Sequence, residues 1–362
     1  MLSPSPDAIV IGAGIVGGSI AWRLAQAGMS VTLLDAGELG GEASWAGAGM
    51  LAPGGEFTAQ TPLARFALES LGLYPAFVQE LESEARARID YRRSGAVELA
   101  CTEAEWHDLL ERRTAQQSLG IRSSARTNVL GAAGALFYPD DAIVDPRDVM
   151  RALRYACQAR QVRILERTRV LEIRIAAGTV DIETSAGPLS ASAAVLTAGA
   201  WSGAIPITRT GTGESIAITP TFPVRGHLLG YTLPPGSLGP ILRRAHTYLL
   251  QRASGFTIAG TSSEQAGFDR RLDPAVIAGI HARACELLPR LRSAPEPQAW
   301  LGFRPATANF EPVIRRLDDL PLWLAYGHYR NGILLAPATA RLISREITSS
   351  SETDPPVPGA LR

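Results

Sequence analysis

The chain has 362 residues, room for one large domain or two ordinary ones with a sizeable core. Its 35 basic residues, all of them arginine, balance 35 acidic ones, so nothing in the net charge asks for nucleic acid or an anionic membrane. The lack of lysine removes Schiff-base, Walker and lysine general-base chemistry, and the three cysteines, far apart and without CxxC spacing, speak against a disulfide framework or a zinc site and for a reducing cytosol.

The N-terminal stretch carries no basic run, and its apolar segment is broken by glycines and followed by Trp22 and Arg23. Neither a signal peptide nor a membrane span is expected there. Residues 8–11 form a short apolar run that predicts a buried strand entering a glycine turn, Gly12-Ala13-Gly14-Ile15-Val16-Gly17. Ile15, Ile20, Leu24 and Ala25 follow near helical spacing, with Gly28 placed to end the helix. A second strand at 31–34 ends on Asp35, which completes a βαβ start.

Residues 40–55 are rich in Gly, Ala and Ser and let backbone approach a ligand closely. The periodicity then predicts a long amphipathic helix over 62–88, a strand over 96–100 and a helix over 102–118. A further helix is expected over 146–161 with Pro146 near its first turn, followed by strands at 162–165, 170–173 and 193–199. Runs between 222 and 260, punctuated by Pro and Gly, predict an antiparallel sheet. Asp273 and Pro274 read as N-cap and first residue of a helix reaching 288. Near the end, Gly327-His328-Tyr329-Arg330-Asn331-Gly332 forms a polar, glycine-flanked turn ahead of an apolar helix. A Ser/Pro-rich tail from Ser349 reads as a loosely held terminus.

A helix start aims free N–H groups and the positive end of its dipole at whatever binds there. Two such starts at opposite ends of one chain point to a long cofactor held at both ends, FAD before NAD. The expected fold class is α/β: a discontinuous FAD-binding Rossmann-like domain (residues 1–55, 143–204 and 305–362) with an inserted α+β substrate domain built on an antiparallel sheet (56–142 and 205–304). In the glycine turn, Gly12 permits the bend, Gly14 lets backbone meet a pyrophosphate, and Gly17 allows close helix–strand packing. Asp35 would accept hydrogen bonds from the ribose hydroxyls. The competing reading of residues 332–343 is a buried C-terminal helix and nothing more, which explains the leucines but not the His-Tyr-Arg-Asn before them.

The glycine turn, the stretch from Glu42 to Leu51, the strand end Leu196-Thr197-Ala198-Gly199-Ala200-Trp201-Ser202 and the segment from Gly327 to Ala340 together resemble the D-amino acid oxidase family, in particular its glycine oxidases linked to thiamine biosynthesis. The likeness runs over nearly the whole chain in the same order and is thinnest over 56–140. It implies non-covalent FAD. Ile15 and Val16 would lie at the pyrophosphate, Asp35 and Ala36 at the adenosine, and Val170 on the adenine side. Ala43, Ser44, Ala48, Gly49 and Met50 would flank the ribityl chain and flavin, with Gly199 and Trp201 at the matching strand end. His328, Tyr329, Arg330, Asn331, Gly332, Ile333 and Leu334 would run along the pyrimidine edge of the flavin, where a helix start stabilises charge gained on reduction. Position 35 holds aspartate where glutamate is frequent, so the ribose contact would be longer or bridged by water.

The same resemblance makes Arg304 the clamp for a substrate carboxylate, which suits its planar fork; the plainer alternative is an ion pair with Asp or Glu. Arg330 would help hold substrate, and Tyr248 would hydrogen-bond it, although a tyrosine in a β-run is commonly a core residue. Met50 would border the substrate, and His246 would stand at the pocket mouth or simply face solvent. His328 would contact the flavin and is not a base, and His107, His227 and His281 lack spacing for a metal.

The implied reaction is oxidation of a small amine or amino acid, glycine first, by hydride transfer from Cα to flavin N5 with oxygen as acceptor, in a cytoplasmic homo-oligomer (dimer or tetramer). Sarcosine oxidases commonly carry flavin on cysteine and an oxygen-activating lysine, neither of which can be placed in this sequence. Oxidases of larger D-amino acids or proline, dehydrogenases passing electrons to a carrier, and a non-catalytic FAD-binding subunit remain open alternatives.

Overall fold

A computed structural model describes residues 5–127 and 129–351; the part of the Ser/Pro-rich tail beyond Ser351 lies outside the described residues. The first strand, Ala8–Ile11, sits in the middle of a six-stranded sheet, between Val31–Leu34 and Ala193–Leu196, with all four residues buried. That burial on both faces is what an uninterrupted apolar run in a parallel sheet requires. Arg163–Leu165 and Leu322–Tyr326 extend the sheet in parallel, and Val313–Arg316 closes it as an antiparallel edge.

Alternation along Ala8–Ile11 divides the core. Ala8 and Val10 face a helix layer of Ile15–Gln26, Pro62–Ala85, Pro146–Ala159 and the C-terminal Gly332–Ser351. Ile9 and Ile11 face a four-stranded sheet, ordered Leu189–Ala191, Thr179–Thr184, Val170–Ala176, Ile207–Arg209. The strand Ile207–Arg209 lies past the expected domain boundary at 204, yet it pairs in parallel with Val170–Ala176. The chain leaves this part of the molecule after that strand, and we propose the boundary there.

The helices begin where side chains replace missing hydrogen bonds. The Asp145 carboxylate accepts from Arg147 N, and that of Asp273 accepts from Ala275 and Val276 N, each ahead of a proline in the first turn. The helix expected over 62–88 stops at Ala85 because Arg86 turns left-handed, with φ +50.

A second, eight-stranded sheet takes strands from two distant stretches of chain. Its order is Gln298–Ala306, Phe222–Thr232, Phe256–Gly260, Thr247–Gln251, Ile241–Arg244, Ala96–Ala100, Gly134–Tyr138, Ser124–Arg126. The pairing is antiparallel except between Ile241–Arg244 and Ala96–Ala100, which run parallel where the two stretches join. One face packs on the helix Pro274–Leu287, and Leu228, Tyr248 and Trp300 on the other face join the core shared with the helix layer.

The C-terminal helix carries Pro337, which has no N–H for the carbonyl of Ile333 four residues before it. Tyr74, from the helix Pro62–Ala85, supplies the missing donor: its hydroxyl lies 2.5 Å from Ile333 O. One residue along, the Ser70 hydroxyl donates to Leu334 O (2.6 Å) and accepts from Ala338 N (3.2 Å), so it stands inside the broken turn. Burial pushes the Tyr74 phenol up, which keeps it a donor. Tyr74→Phe should therefore leave a buried carbonyl unpaired and cost about 1–3 kcal/mol in denaturant unfolding. Tyr155→Phe, on an exposed ring, should leave the midpoint where it is.

Candidate active site

The C-terminal ends of Ala8–Ile11, Val31–Leu34 and Ala193–Leu196 open on one crevice, the place where open α/β sheets bind ligands. Gly12 has φ +103, and a Cβ there would fall 2.5 Å from Thr197 O. A Cβ on Gly17 would collide with Gly12 O and the Thr197 hydroxyl. The Thr197 hydroxyl itself reaches the carbonyls of Ile11 (2.8 Å) and Gly12 (2.7 Å). The helix Ile15–Gln26 starts without a side-chain cap on Gly14, and only its first N–H is taken locally, by Ser44 Oγ at 2.9 Å. The Asp35 carboxylate accepts from Ala13 N and Gly37 N, both at 2.7 Å, while burial pushes its pKa up.

From this crevice a cavity of about 960 Å³ runs to the eight-stranded sheet, at the upper end of the range for ligand pockets, ~300–1,000 Å³. Gly12, Gly14, Ile15, Val16, Asp35, Ala36 and Val170 line one part of it. Ala43, Ser44, Ala48, Gly49, Met50, Gly199 and Trp201 line the middle, and His328, Tyr329, Arg330, Asn331, Gly332 and Ile333 border it from the C-terminal side. Tyr248, His246 and Arg304 complete the wall. Gly17 does not line the cavity; it packs behind the turn, in the helix–strand contact expected of it, and the Leu334 side chain points into the helix core, 2% exposed, because a helix start presents only its first residues to what lies ahead of it.

The C-terminal turn holds two left-handed residues, Gly327 (φ +76) and Tyr329 (φ +47). Tyr329 N donates to Pro305 O (2.8 Å) and Asn331 N to His328 O (2.9 Å), which fixes the entry to the helix. His328 is buried with Nε2 3.2 Å from Thr339 Oγ1, and burial pushes its pKa down to about 4. It is a neutral wall of the cavity.

At the other end, Arg304 lies on Gln298–Ala306 paired with Val224, and its guanidinium reaches over Gly226, where any Cβ would strike it. Its N–H groups donate to Ser262 O (3.1 Å) and Thr261 Oγ1 (2.8 Å), both neutral. Among the described residues no carboxylate lies within ion-pair distance of Arg304, so the plainer reading of an internal ion pair does not hold. Behind it, Ser262 donates to Glu264 (2.6 Å), which also takes His227 Nδ1 (2.9 Å) and Arg225. This closed network holds the loop that holds Arg304.

Tyr248 stands over Gly260, whose missing side chain makes room for the phenol. Burial pushes that phenol up, against the pull of Arg304 and Arg330, so it stays a donor. His246 is exposed at a hairpin tip on the rim, where a second hollow of about 770 Å³ meets the cavity across Arg304, Tyr329 and Arg330.

Arg330 is not free: it pairs with Glu56 at 3.0 Å. The sequence reading missed Glu56; its only signal is an acid at the end of Pro53-Gly54-Gly55, just beyond the glycine-rich stretch. Gly226, Gly260, Thr261 and Ser262 were missed as well, the glycines signalling only as small residues within strands. No group of His, Cys, Asp or Glu suited to a metal occurs among the described residues.

The residues fit FAD: a cavity long enough for a dinucleotide, glycines at its closest approaches, an acid beside the first turn, and a helix start at each end. A model of FAD-dependent oxidoreductases matches residues 7–346. Glycine oxidase of Geobacillus kaustophilus is 30% identical over 96% of this chain and 94% of that protein. The crystal structure of glycine oxidase from Geobacillus kaustophilus superposes with a TM-score of 0.89 at 29% identity, covering 99% of both chains. The bifunctional protein ThiO/ThiG of Synechocystis is 33% identical over 95% of this chain, which spans 52% of that longer protein.

The depressed pKa of His328 makes a stability prediction. Between about pH 6.5 and 4 the unfolded chain binds a proton at this histidine that the folded chain does not. Stability from this group is therefore present above that window and lost as pH falls through it, by up to about 1.4 kcal/mol per pH unit. In His328→Gln, unfolding free energies measured across the window should show a correspondingly shallower fall.

Proposed function

Because this chain belongs to the FAD-dependent oxidoreductase family, we propose that it is a glycine oxidase, converting glycine to iminoacetate and thence glyoxylate and ammonia, with oxygen reduced to peroxide. The observation that carries the reading is Arg304: a half-buried guanidinium held by neutral partners, beside a buried tyrosine, on the wall of the cofactor cavity. A charge drawn out of water calls for a counter-charge, and a substrate carboxylate is the one missing.

FAD, when bound, supplies the two-electron acceptor and is restored by oxygen. The protein's own share is positioning and electrostatics. Arg304 takes the carboxylate on its free edge. The Tyr248 hydroxyl donates to the same carboxylate, and the fixed pair sets where Cα stands. Gly14 and Val16 would give backbone donors for the pyrophosphate, with Gly12 and Ile15 letting it approach, Asp35 would accept from the ribose, and Ala43 to Met50 with Gly199 and Trp201 would border the middle of the cofactor. The start of Gly332–Ser351 would face the flavin edge with the positive end of its dipole and so favour negative charge there. His328 contributes shape and stays uncharged. Met50 and His246 border the substrate and its entry.

None of the three cysteines lines the cavity, which supports a non-covalent cofactor. All three are unpaired, and no described helix is long and apolar enough to cross a membrane, which fits work in the cytosol. As the family resemblance implies, the imine would also serve thiamine thiazole synthesis.

Anaerobic addition of glycine should bleach the flavin band, with colour and peroxide appearing when air is admitted. Bleaching by sarcosine, proline or a larger D-amino acid but not by glycine would move the substrate and keep the site. Arg304→Ala should remain yellow and lose about 10²- to 10³-fold in kcat/KM; unchanged kinetics would remove Arg304 from the site. Acid precipitation of the wild type should release all of its flavin to the supernatant.

A further inference from the structure

The acids on the cavity wall divide by their partners. Asp35 is engaged by backbone N–H groups beside the glycine turn, Glu38 pairs with Arg167, and Glu42 pairs with Arg270. Glu98 is held by Arg112 and Arg243. Glu56 is different: its partner is Arg330, 41% exposed at the neck between the two hollows, and its other neighbours in charge include Arg304. It also contributes to the fields felt by Tyr248 and Arg304 themselves.

The backbone that carries Glu56 is pinned on both sides. Gln116 Nε2 donates to Gly54 O (2.7 Å) and Phe57 O (2.9 Å), and both contacts are buried. Asp141 accepts from Gly54 N at 3.4 Å, and the Arg243 guanidinium packs where a side chain on Gly55 would stand. Such support is what a group with a geometric task needs.

We propose that Glu56 reads the ammonium group of the amino acid whose carboxylate lies on Arg304, and takes its proton. The inference rests on the substrate reading above. An N–H bond of the ammonium breaks and an O–H bond forms on the Glu56 carboxylate; the electron pair stays on nitrogen, and nothing is oxidised or reduced. The bound substrate becomes a neutral amine, the form from which Cα can release hydride. Arg330 remains as the counter-charge that keeps Glu56 ionised until substrate arrives. Burial opposes that charge, with Arg330, Arg243 and Arg304 favouring it and Glu98 disfavouring it, so the carboxyl is poised to accept a proton.

The proposal makes two ligands respond with opposite signs. Glycine brings an ammonium to Glu56, whereas acetate brings only a second negative charge. In Glu56→Gln, kcat/KM for glycine should fall about tenfold or more while acetate binds several-fold more tightly to the oxidised holoenzyme, read by calorimetry and by the flavin spectrum. A merely structural role would move both ligands the same way, and that result would overturn the assignment. The wild type gives an independent test should the variant fold poorly. Acetate binding near pH 7 should take up protons, seen as a dependence of binding heat on the buffer's ionisation enthalpy, because a carboxylate arriving beside Glu56 raises its pKa. Absence of uptake overturns the proposal. If glycine fails to bleach the flavin but acetate still shows proton uptake and the gain in Glu56→Gln, the choice of substrate is wrong and the role of Glu56 stands.

Discussion

The contact on which the rest depends is the meeting of Gly12, Gly17 and Thr197. Neither glycine has space for a side chain, and the threonine hydroxyl ties the strand Ala193–Leu196 to the end of Ala8–Ile11. Bare backbone at that point brings two strand ends and a helix start to within contact of each other. One methyl group there would force the strands apart and with them the crevice, since packed interiors absorb such shifts poorly. Every downstream distance, from Asp35 to the C-terminal turn, is referred to this junction.

The arginines of the site then sort by the company they keep. Arg225 lies against Glu264, Arg243 against Asp141, and Arg330 against Glu56. Arg304 alone of these four is held by a carbonyl and a hydroxyl. Neutral partners fix its orientation without spending its charge, so the attraction is kept for a ligand in a desolvated setting. The ring of His227, Ser262 and Glu264 behind it stiffens the loop without adding an opposing charge next to the guanidinium. Geometry and charge are thus assigned to different shells of residues.

Much of this was legible in the sequence because it depends on local patterns. The glycine turn, Asp35, Pro146 near its helix start, the cap at Asp273 and the C-terminal string announce themselves within a few residues. The resemblance of those strings to a known family carried the expected place of Arg304, Tyr248 and Val170. What escaped depends on register across strands or on segments far apart in the chain. Gly226 matters only because Arg304, paired with Val224, reaches across to it, and Gly260 only because it lies under Tyr248. Glu56 gains its meaning from an arginine near the other terminus, and the need of Ile333 for a donor at Pro337 is met by Tyr74. The strand Ile207–Arg209 looked like part of the inserted sheet because nothing in its three residues names its partner. Leu334 was placed one residue too far along the cavity because a string of motif residues does not reveal where a helix turns its side chains inward.

The clamp of Ser70 and Tyr74 on the C-terminal helix also has a consequence for synthesis. That helix completes the layer over the central sheet, and its start forms part of the cavity whose opposite part begins at Gly12. While a ribosome is still making the middle of the chain, Ala8–Ile11 has no Leu322–Tyr326 strand two places away, and the helices Ile15–Gln26 and Pro62–Ala85 expose the apolar surface meant for the last helix. The nascent protein must carry that surface, uncovered, through most of its translation. Cofactor capture is therefore a late event, and chaperone demand should be set by the wait for the final helix more than by the size of the fold.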